Sequence, residues 1–239
     1  MSPPPTEGPL LKPIGYLRTR QQHKFESPPQ PGEHEGVEGV VELIPGCGYD
    51  IALRDLDGFS RIWLIWWFHK NPNWKPTTLP PRGRSGRKGT FATRSPYRPN
   101  PLAMSCVPLL GIEGHSLLIG SHDLLDGTPI LDIKPYLPQF DSFPDESSGW
   151  YGEMERELEK APSYSVCYSA QAEESLREGA PHSLQEKIES VLTVDPFPHR
   201  TRRIVDYDPG YRLACGKWRV YYSVEDRQVK ISTIESKEP

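Results

Sequence analysis

The longest apolar run in these 239 residues, Ile62–Phe68, is far too short to cross a bilayer as a helix. Cysteine is scarce: Cys47, Cys106, Cys167 and Cys215 stand far apart, without the paired spacing of a metal site. The histidines form no pair at helical or strand spacing, so no metal is expected. The opening MSPPPTEGPL has neither a basic segment nor an apolar core. That argues against a secretory leader and for free thiols in a reducing cytoplasm. Walker loops, glycine-rich dinucleotide turns and Gly-x-Ser-x-Gly elbows are missing, which speaks against a doubly wound nucleotide fold. Acids are missing from one long stretch. Between Lys70 and Ile112 the charged side chains are Lys70, Lys75, Arg82, Arg84, Arg87, Lys88, Arg94 and Arg98, although the whole chain carries −4. A local basic strip attracts phosphate whatever the global sum.

Proline, by contrast, is abundant, with 27 residues. It breaks ladders and helices, so short strands, turns and structured loops are expected. Residues 1–10 read as disordered. Ile14–Leu17 and Gly39–Ile44 read as strands, and Cys47–Phe59 as a modest helix with Asp50 as N-cap. Arg61–His69 has apolar residues at both parities and reads as a strand buried on both faces. Phe91–Thr93, Met104–Leu110, Ser116–His122 and Pro129–Ile133 continue the short strands, the pattern of a β-barrel or sandwich. Phe140–Lys160 is acidic and begins like a linker. A strand at Ser165–Tyr168 follows, then a helix capped by Ser169, a helix over His182–Thr193, and an antiparallel meander from Ile204 to Ile234. The predicted division is a main domain over 11–160 and a small α+β domain over 161–239.

Three segments hold polar chemistry. Gln30-Pro31-Gly32 reads from composition as a plain turn. In Lys88–Ser105, prolines 96, 99 and 101 stiffen a loop that presents Arg94, Tyr97, Arg98 and Asn100, though a rigid surface loop with solvated arginines has the same composition. Arginine offers a planar fork to phosphate or carboxylate. In Ser121–Tyr136, Asp123, Asp126 and Asp132 lie among apolar strand residues, around the Asp126-Gly127 turn signal. Carboxylates beside a basic loop suit a zwitterionic or cationic ligand. The plainer alternative is a hairpin turn with an ion pair to Lys134.

IGYLRT, QPG, LRDLDGFSRIWLIWWFHK, ATRSPYRPNPL and DLLDGTPILDIKPY, in that order, closely resemble the TsaA-like family, whose characterised enzymes are TrmO-type tRNA methyltransferases. The match spans about Pro13 to Tyr151; the C-terminal part is similar to the small extra domain of bacterial-type members. The resemblance implies a compact, mainly antiparallel β-barrel, S-adenosylmethionine as methyl donor, and methylation of N6 in a threonylcarbamoyl-modified adenosine beside the anticodon. It also implies a homodimer. By position it implies donor binding by Pro29, Gln30, Pro31, His69, Lys70, Arg94, Met104, Asp123, Leu124, Leu125 and Asp126. Two departures stand out. Pro29 replaces an arginine common in relatives, and Pro101-Leu102-Ala103 replaces Pro-Ile-Gly. With tRNA as the implied partner, Lys75, Arg82, Arg84, Arg87, Lys88 and Arg98 become candidates for phosphate contact, and Trp74 or Tyr97 for stacking on a base. Asp132 and Tyr136 are candidates to take the acceptor's proton, with a purely structural role as the alternative for each. The alternatives are a non-catalytic RNA-binding adaptor and a methyltransferase with another acceptor.

Overall fold

The computed structural model describes residues 10–21, 38–71, 73–80, 86–160, 163–181, 183–198 and 203–237. The chain forms two compact units, one of residues 1–78 with 89–144, the other of 79–88 with 145–239.

The first unit is a closed barrel. Its strands are β1 (Gly15–Thr19), β2 (Gly39–Leu43), β3 (Arg61–Trp67), β6 (Leu102–Glu113), β7 (Ser116–Ile119) and β8 (Pro129–Pro135), ordered β1-β2-β7-β6-β3-β8. β4 (Thr77–Thr78) and β5 (Lys88–Gly89) are two-residue pieces. Every barrel pairing is antiparallel, and β1 closes the ring on β8 through Gly15↔Ile130. Gly15 is required there: a Cβ would collide with the Glu42 carbonyl.

Side chains alternate across a strand, so the pleat sorts them into two faces. On β3, Ile62, Leu64 and Trp66 are buried with Leu17, Val41, Val107, Leu117, Ile119 and Ile130 in one core. Trp63, Ile65 and Trp67 are only half-buried, so β3 is not buried on both faces as the sequence suggests. The outer face is instead capped locally. Trp63 Nε1 donates to Asp141 at 3.0 Å, and the Asp141 carboxylate accepts the Leu137 amide at 2.9 Å.

Three other expectations are corrected. The helix expected over Cys47–Phe59 shrinks to α1 (Tyr49–Ala52), preceded by Gly48 in the left-handed region rather than capped by Asp50. Phe91–Thr93 is not a strand: Thr90–Ala92 makes a single 3-10 turn. The linker-like 140–160 region holds α2 (Pro138–Asp141) and α3 (Trp150–Lys160), whose Met154 is buried.

In the second unit β10 (Ile204–Tyr207), β11 (Gly210–Cys215), β12 (Trp218–Glu225) and β13 (Gln228–Ser236) form the expected meander. β9 (Ser165–Tyr168) adds to β13 in parallel. Ser169 caps α4 (Ala170–Glu178) by accepting the Ala172 amide at 3.1 Å. Ala172 and, from α5 (Ser183–Leu192), Leu184, Ile188 and Leu192 share a core with Leu213, Val220, Tyr222 and Ile231. All four cysteines are free.

Candidate functional site

The turn between β7 and β8 is stitched to β1. The Asp126 amide donates to the Gln21 carbonyl and the Gly127 amide to the Leu17 carbonyl, each at 2.8 Å. Asp126 Oδ1 accepts the Thr19 amide at 3.1 Å, and Thr128 Oγ1 donates to the Leu125 carbonyl at 2.7 Å. Gly127 has φ 72°, a conformation that glycine adopts without strain. Leu124 is wholly buried, and its amide donates to Nδ1 of the buried His122 at 3.3 Å. Desolvation holds the His122 pKa low, so this imidazole is neutral and able to accept.

Asp123 stands apart from that stitching. Ser105 Oγ donates to Asp123 Oδ1 at 2.6 Å, and Trp66 Nε1 donates to Ser105 Oγ at 2.9 Å. Strand register explains the chain of bonds. Ser105 lies opposite Leu64, and Trp66 opposite Ala103, so both side chains are on the inner face as diagonal neighbours. Ser105 is buried and Asp123 recessed. Desolvation lifts the Asp123 pKa to about 6; the Ser105 bond, its own amide and the charge of Arg94 pull it the other way. Near neutral pH the result is a poorly hydrated carboxylate, held by a hydroxyl and within electrostatic reach of a guanidinium. Such a group gains more from a cationic ligand than an exposed aspartate does.

The basic loop is braced by its own backbone. Thr90, 1% exposed, donates through its hydroxyl to the Lys75 carbonyl and through its amide to the Pro76 carbonyl at 3.0 Å. The Arg98 guanidinium donates to the carbonyls of Thr90 at 3.2 Å and Thr93 at 2.8 Å. The Lys75 amide donates to the Tyr97 carbonyl at 3.2 Å, and Lys75 Nζ lies 4.4 Å from the Tyr97 ring centre. Arg98 is therefore half-buried scaffold as much as surface charge, whereas Arg94 is exposed.

The remaining sequence candidates separate. His69 and Lys70 are exposed just beyond β3. Met104, 55% exposed, lies opposite Ile65, which lies opposite Asp132 on its other side. Met104 and Asp132 thus share the outer face, opposite to that of Ser105. Asp132 is ion-paired with Lys134 at 2.9 Å and accepts the Ile133 amide at 2.9 Å. Tyr136 packs edge-on against Trp63 with ring centres 5.8 Å apart. Lys75, Arg94 and Arg98 belong to the first unit, Arg87 and Lys88 to the second. Lys88 Nζ lies 5.3 Å from the Trp150 ring centre. Pro29, Gln30, Pro31, Arg82 and Arg84 lie outside the described residues.

The model of the tRNA-methyltransferase O N-terminal domain matches residues 16–142, a range that includes all of β1 but Gly15, the Ser105–Asp123 pair and the whole Arg94 loop. The chain belongs to the TrmO family. It is 36% identical over 231 residues to a tRNA (adenine(37)-N6)-methyltransferase of Escherichia coli, covering 93% of this chain and 96% of that protein. A Pyrococcus abyssi protein named for S-adenosyl-L-methionine binding is 39% identical over 150 residues, 63% of this chain and 80% of its own length. A crystal structure of TrmO from Pseudomonas aeruginosa superposes with a TM-score of 0.60 at 30% identity, over 96% of this chain and 99% of that one.

Within this TrmO-family barrel, sequence reasoning missed Ser105 and Trp66, the two side chains bonded in series behind Asp123. A lone serine in an apolar strand gives no signal of its own. The only available hint was parity: Ser105 is the polar member of the otherwise apolar inner row that includes Ala103 and Val107.

Proposed function

We propose that this chain transfers a methyl group from S-adenosylmethionine to N6 of a threonylcarbamoyl-modified adenosine beside the anticodon of a tRNA. Asp123, recessed and bonded to Ser105, is the observation that most supports a methyl-donor site at this end of the barrel. S-adenosylmethionine supplies an electrophilic methyl on a sulfonium, together with an ammonium, a carboxylate and a ribose diol. The residues fit that group: a recessed anion and an exposed arginine within its field present both signs of charge. We assign Asp123 to the ammonium or diol and Arg94 to the carboxylate. Leu124 and Leu125 contribute backbone groups to the adenine edge, and Asp126 fixes their turn. His69, Lys70, Pro29, Gln30 and Pro31 complete the donor set, with Met104 reaching it from the outer face of β6.

The reaction breaks the sulfur–methyl bond, forms a nitrogen–carbon bond and releases the N6 proton. In-line displacement gains mostly from alignment, which rigid strands and a stitched turn provide. Asp132 takes the proton in this reading, with Tyr136 as the second candidate. Lys75, Arg87, Lys88 and Arg98 meet backbone phosphates, each within its own unit, as do Arg82 and Arg84 of the same basic stretch. The active species is a homodimer, to be read from light scattering.

The test incubates the full chain with methyl-labelled donor and bulk tRNA, then digests the RNA to nucleosides for mass spectrometry. Label in N6-methylated threonylcarbamoyladenosine is expected. Donor binding with no label in any tRNA would establish the adaptor reading instead, and label in a different nucleoside would move the acceptor. Asp132→Asn should lower kcat while leaving the donor Kd unchanged; an unchanged kcat removes Asp132 from the mechanism.

A further inference from the structure

Phe91 is 75% exposed and Trp74 48% exposed. A single exposed aromatic is ordinary. Here the two rings are stacked, with centres 6.2 Å apart and planes 25° from parallel. The Arg98 guanidinium carbon lies 5.7 Å from the Phe91 ring centre. Phe91 sits in the middle of the 3-10 turn Thr90–Ala92, and that turn is bolted down on both sides. Thr90 anchors it to Lys75 and Pro76, while Arg98 ties its first carbonyl to that of Thr93. The backbone is therefore braced so as to hold a large apolar ring out in water, at an arginine, in a stretch without a single acid.

We propose that Trp74 and Phe91, with Arg98 beside them, form a stacking platform for an unpaired base of the RNA substrate. This rests on the tRNA reading above and narrows it: the platform selects single-stranded loops over duplex. Bases of RNA loops are splayed out and stack on aromatic rings and guanidinium planes. Every base has a π-face, and a nearby cation strengthens the stack on an aromatic. The 6.2 Å between ring centres is too narrow for a base to enter between them, because two stacked steps need about 7 Å. The base therefore stacks on the outside of the pair. Tyr97, the other aromatic suggested by the sequence, already lies against Lys75.

Charge favours RNA over a second copy of this chain. An interface about a two-fold axis sets the same patch against itself. Lys75 and Arg98 would then face their own copies with no acid in the stretch to offset them, whereas a phosphate backbone neutralises them.

The test uses the full chain with Phe91→Ala, Phe91→Leu and Phe91→Trp. The probes are a tRNA anticodon stem-loop, a fully paired RNA duplex of equal length, and S-adenosylhomocysteine as donor analogue. Phe91→Ala and Phe91→Leu should each weaken stem-loop binding about tenfold, and Phe91→Trp should restore it. Duplex binding, analogue binding and the melting temperature should stay at the wild-type values. Wild-type affinity for the stem-loop in Phe91→Leu overturns the platform, because shape and apolarity without a π-face would then suffice. Equal losses on stem-loop and duplex overturn it too. So does a smaller species in light scattering for Phe91→Ala, which would assign the patch to self-association. If wild-type protein binds the analogue but no RNA, the tRNA reading itself fails; if it methylates tRNA and Phe91→Leu does so equally, only the platform fails.

Discussion

The Ser121–Thr128 turn and the Thr90–Arg98 loop handle charge in opposite ways. The turn has few charges and desolvates one of them: Asp123 is recessed, bonded to Ser105, and raised in pKa to about 6. The loop has two cations, Arg94 and Arg98, with Lys75 packed beside it; Arg94 and Lys75 are exposed, and the backbone is fixed by Thr90 and Arg98. A desolvated charge acts strongly at short range and titrates near neutrality. Solvated charges act weakly, over about a Debye length, and are screened by salt. The turn should therefore respond to pH and the loop to ionic strength, and each experiment below tries to make one region behave like the other.

The largest effect should come from Asp123. Asp123→Ala is expected to weaken binding of S-adenosylmethionine at least 100-fold in calorimetry at pH 7.5, about the cost of stripping a recessed charge from its partner. Asp123→Asn keeps the acceptor for Ser105 and should bind nearly as poorly, yet it should stabilise the free protein. Burial raises the folded pKa from 3.8 to about 6, so between these values the folded chain holds more protons than the unfolded one. The stability tied to the protonated acid is complete below 3.8 and lost as pH rises to about 6. Above that, Asp123→Asn should gain roughly 1–3 kcal/mol in denaturant melts, and below pH 4 nothing. A gain that is equal at both pH values would show that ionisation is not its source.

A smaller effect is expected one bond further out. The Ser105 hydroxyl favours the charged form of Asp123, so Ser105→Ala should raise that pKa. A hydrogen bond to a charged group is worth about 1.5–3 kcal/mol, or roughly one to two pH units. The midpoint at which donor binding strengthens with rising pH should move up accordingly. Trp66→Phe removes the bond that orients Ser105, along with part of a buried ring, and should move the midpoint in the same direction by less. Affinity that falls equally at all pH values would mean that Ser105 shapes the pocket without setting its charge.

The two regions were also unequally legible. The strands of the barrel and the meander follow from alternation: Ile62, Leu64 and Trp66 on β3, and Trp218, Val220 and Tyr222 on β12, are buried at period two. The carboxylates were visible as residue types, and the Asp126-Gly127 turn was visible as a turn. What separates Asp123 from Asp126 was not visible. Both are aspartates flanking two leucines, yet Asp126 is bonded to a β1 amide and Asp123 to an inner-face serine on β6. That difference depends on which strands close the ring. In the loop the error was one of propensity. Thr90, Phe91 and Thr93 favour strands, but the chain turns at Thr90–Ala92, where the carbonyls of Lys75 and Pro76 take the Thr90 hydroxyl and amide. Similarly, the Ser/Pro/Gly-rich start of 140–160 hid α3, whose single buried side chain, Met154, is too little to make a period.

The smallest effect should be the cleanest mark of the loop. Lys75→Gln removes one solvated charge while leaving the backbone amide that donates to Tyr97 in place. tRNA affinity should fall only about two- to threefold at moderate salt, and donor affinity should not change. The informative quantity is the slope of log affinity against log salt. Each phosphate contact releases counterions and adds about 0.7–0.9 to that slope, so losing one should flatten it by that amount. Arg87→Gln in the second unit should flatten it likewise if that unit also meets phosphate. Phe91→Leu should leave the slope alone, since a stacked ring releases no counterion. An unchanged slope in both charge variants would mean that the acid-free stretch is solvated surface, and that the loop recognises RNA through its rings alone.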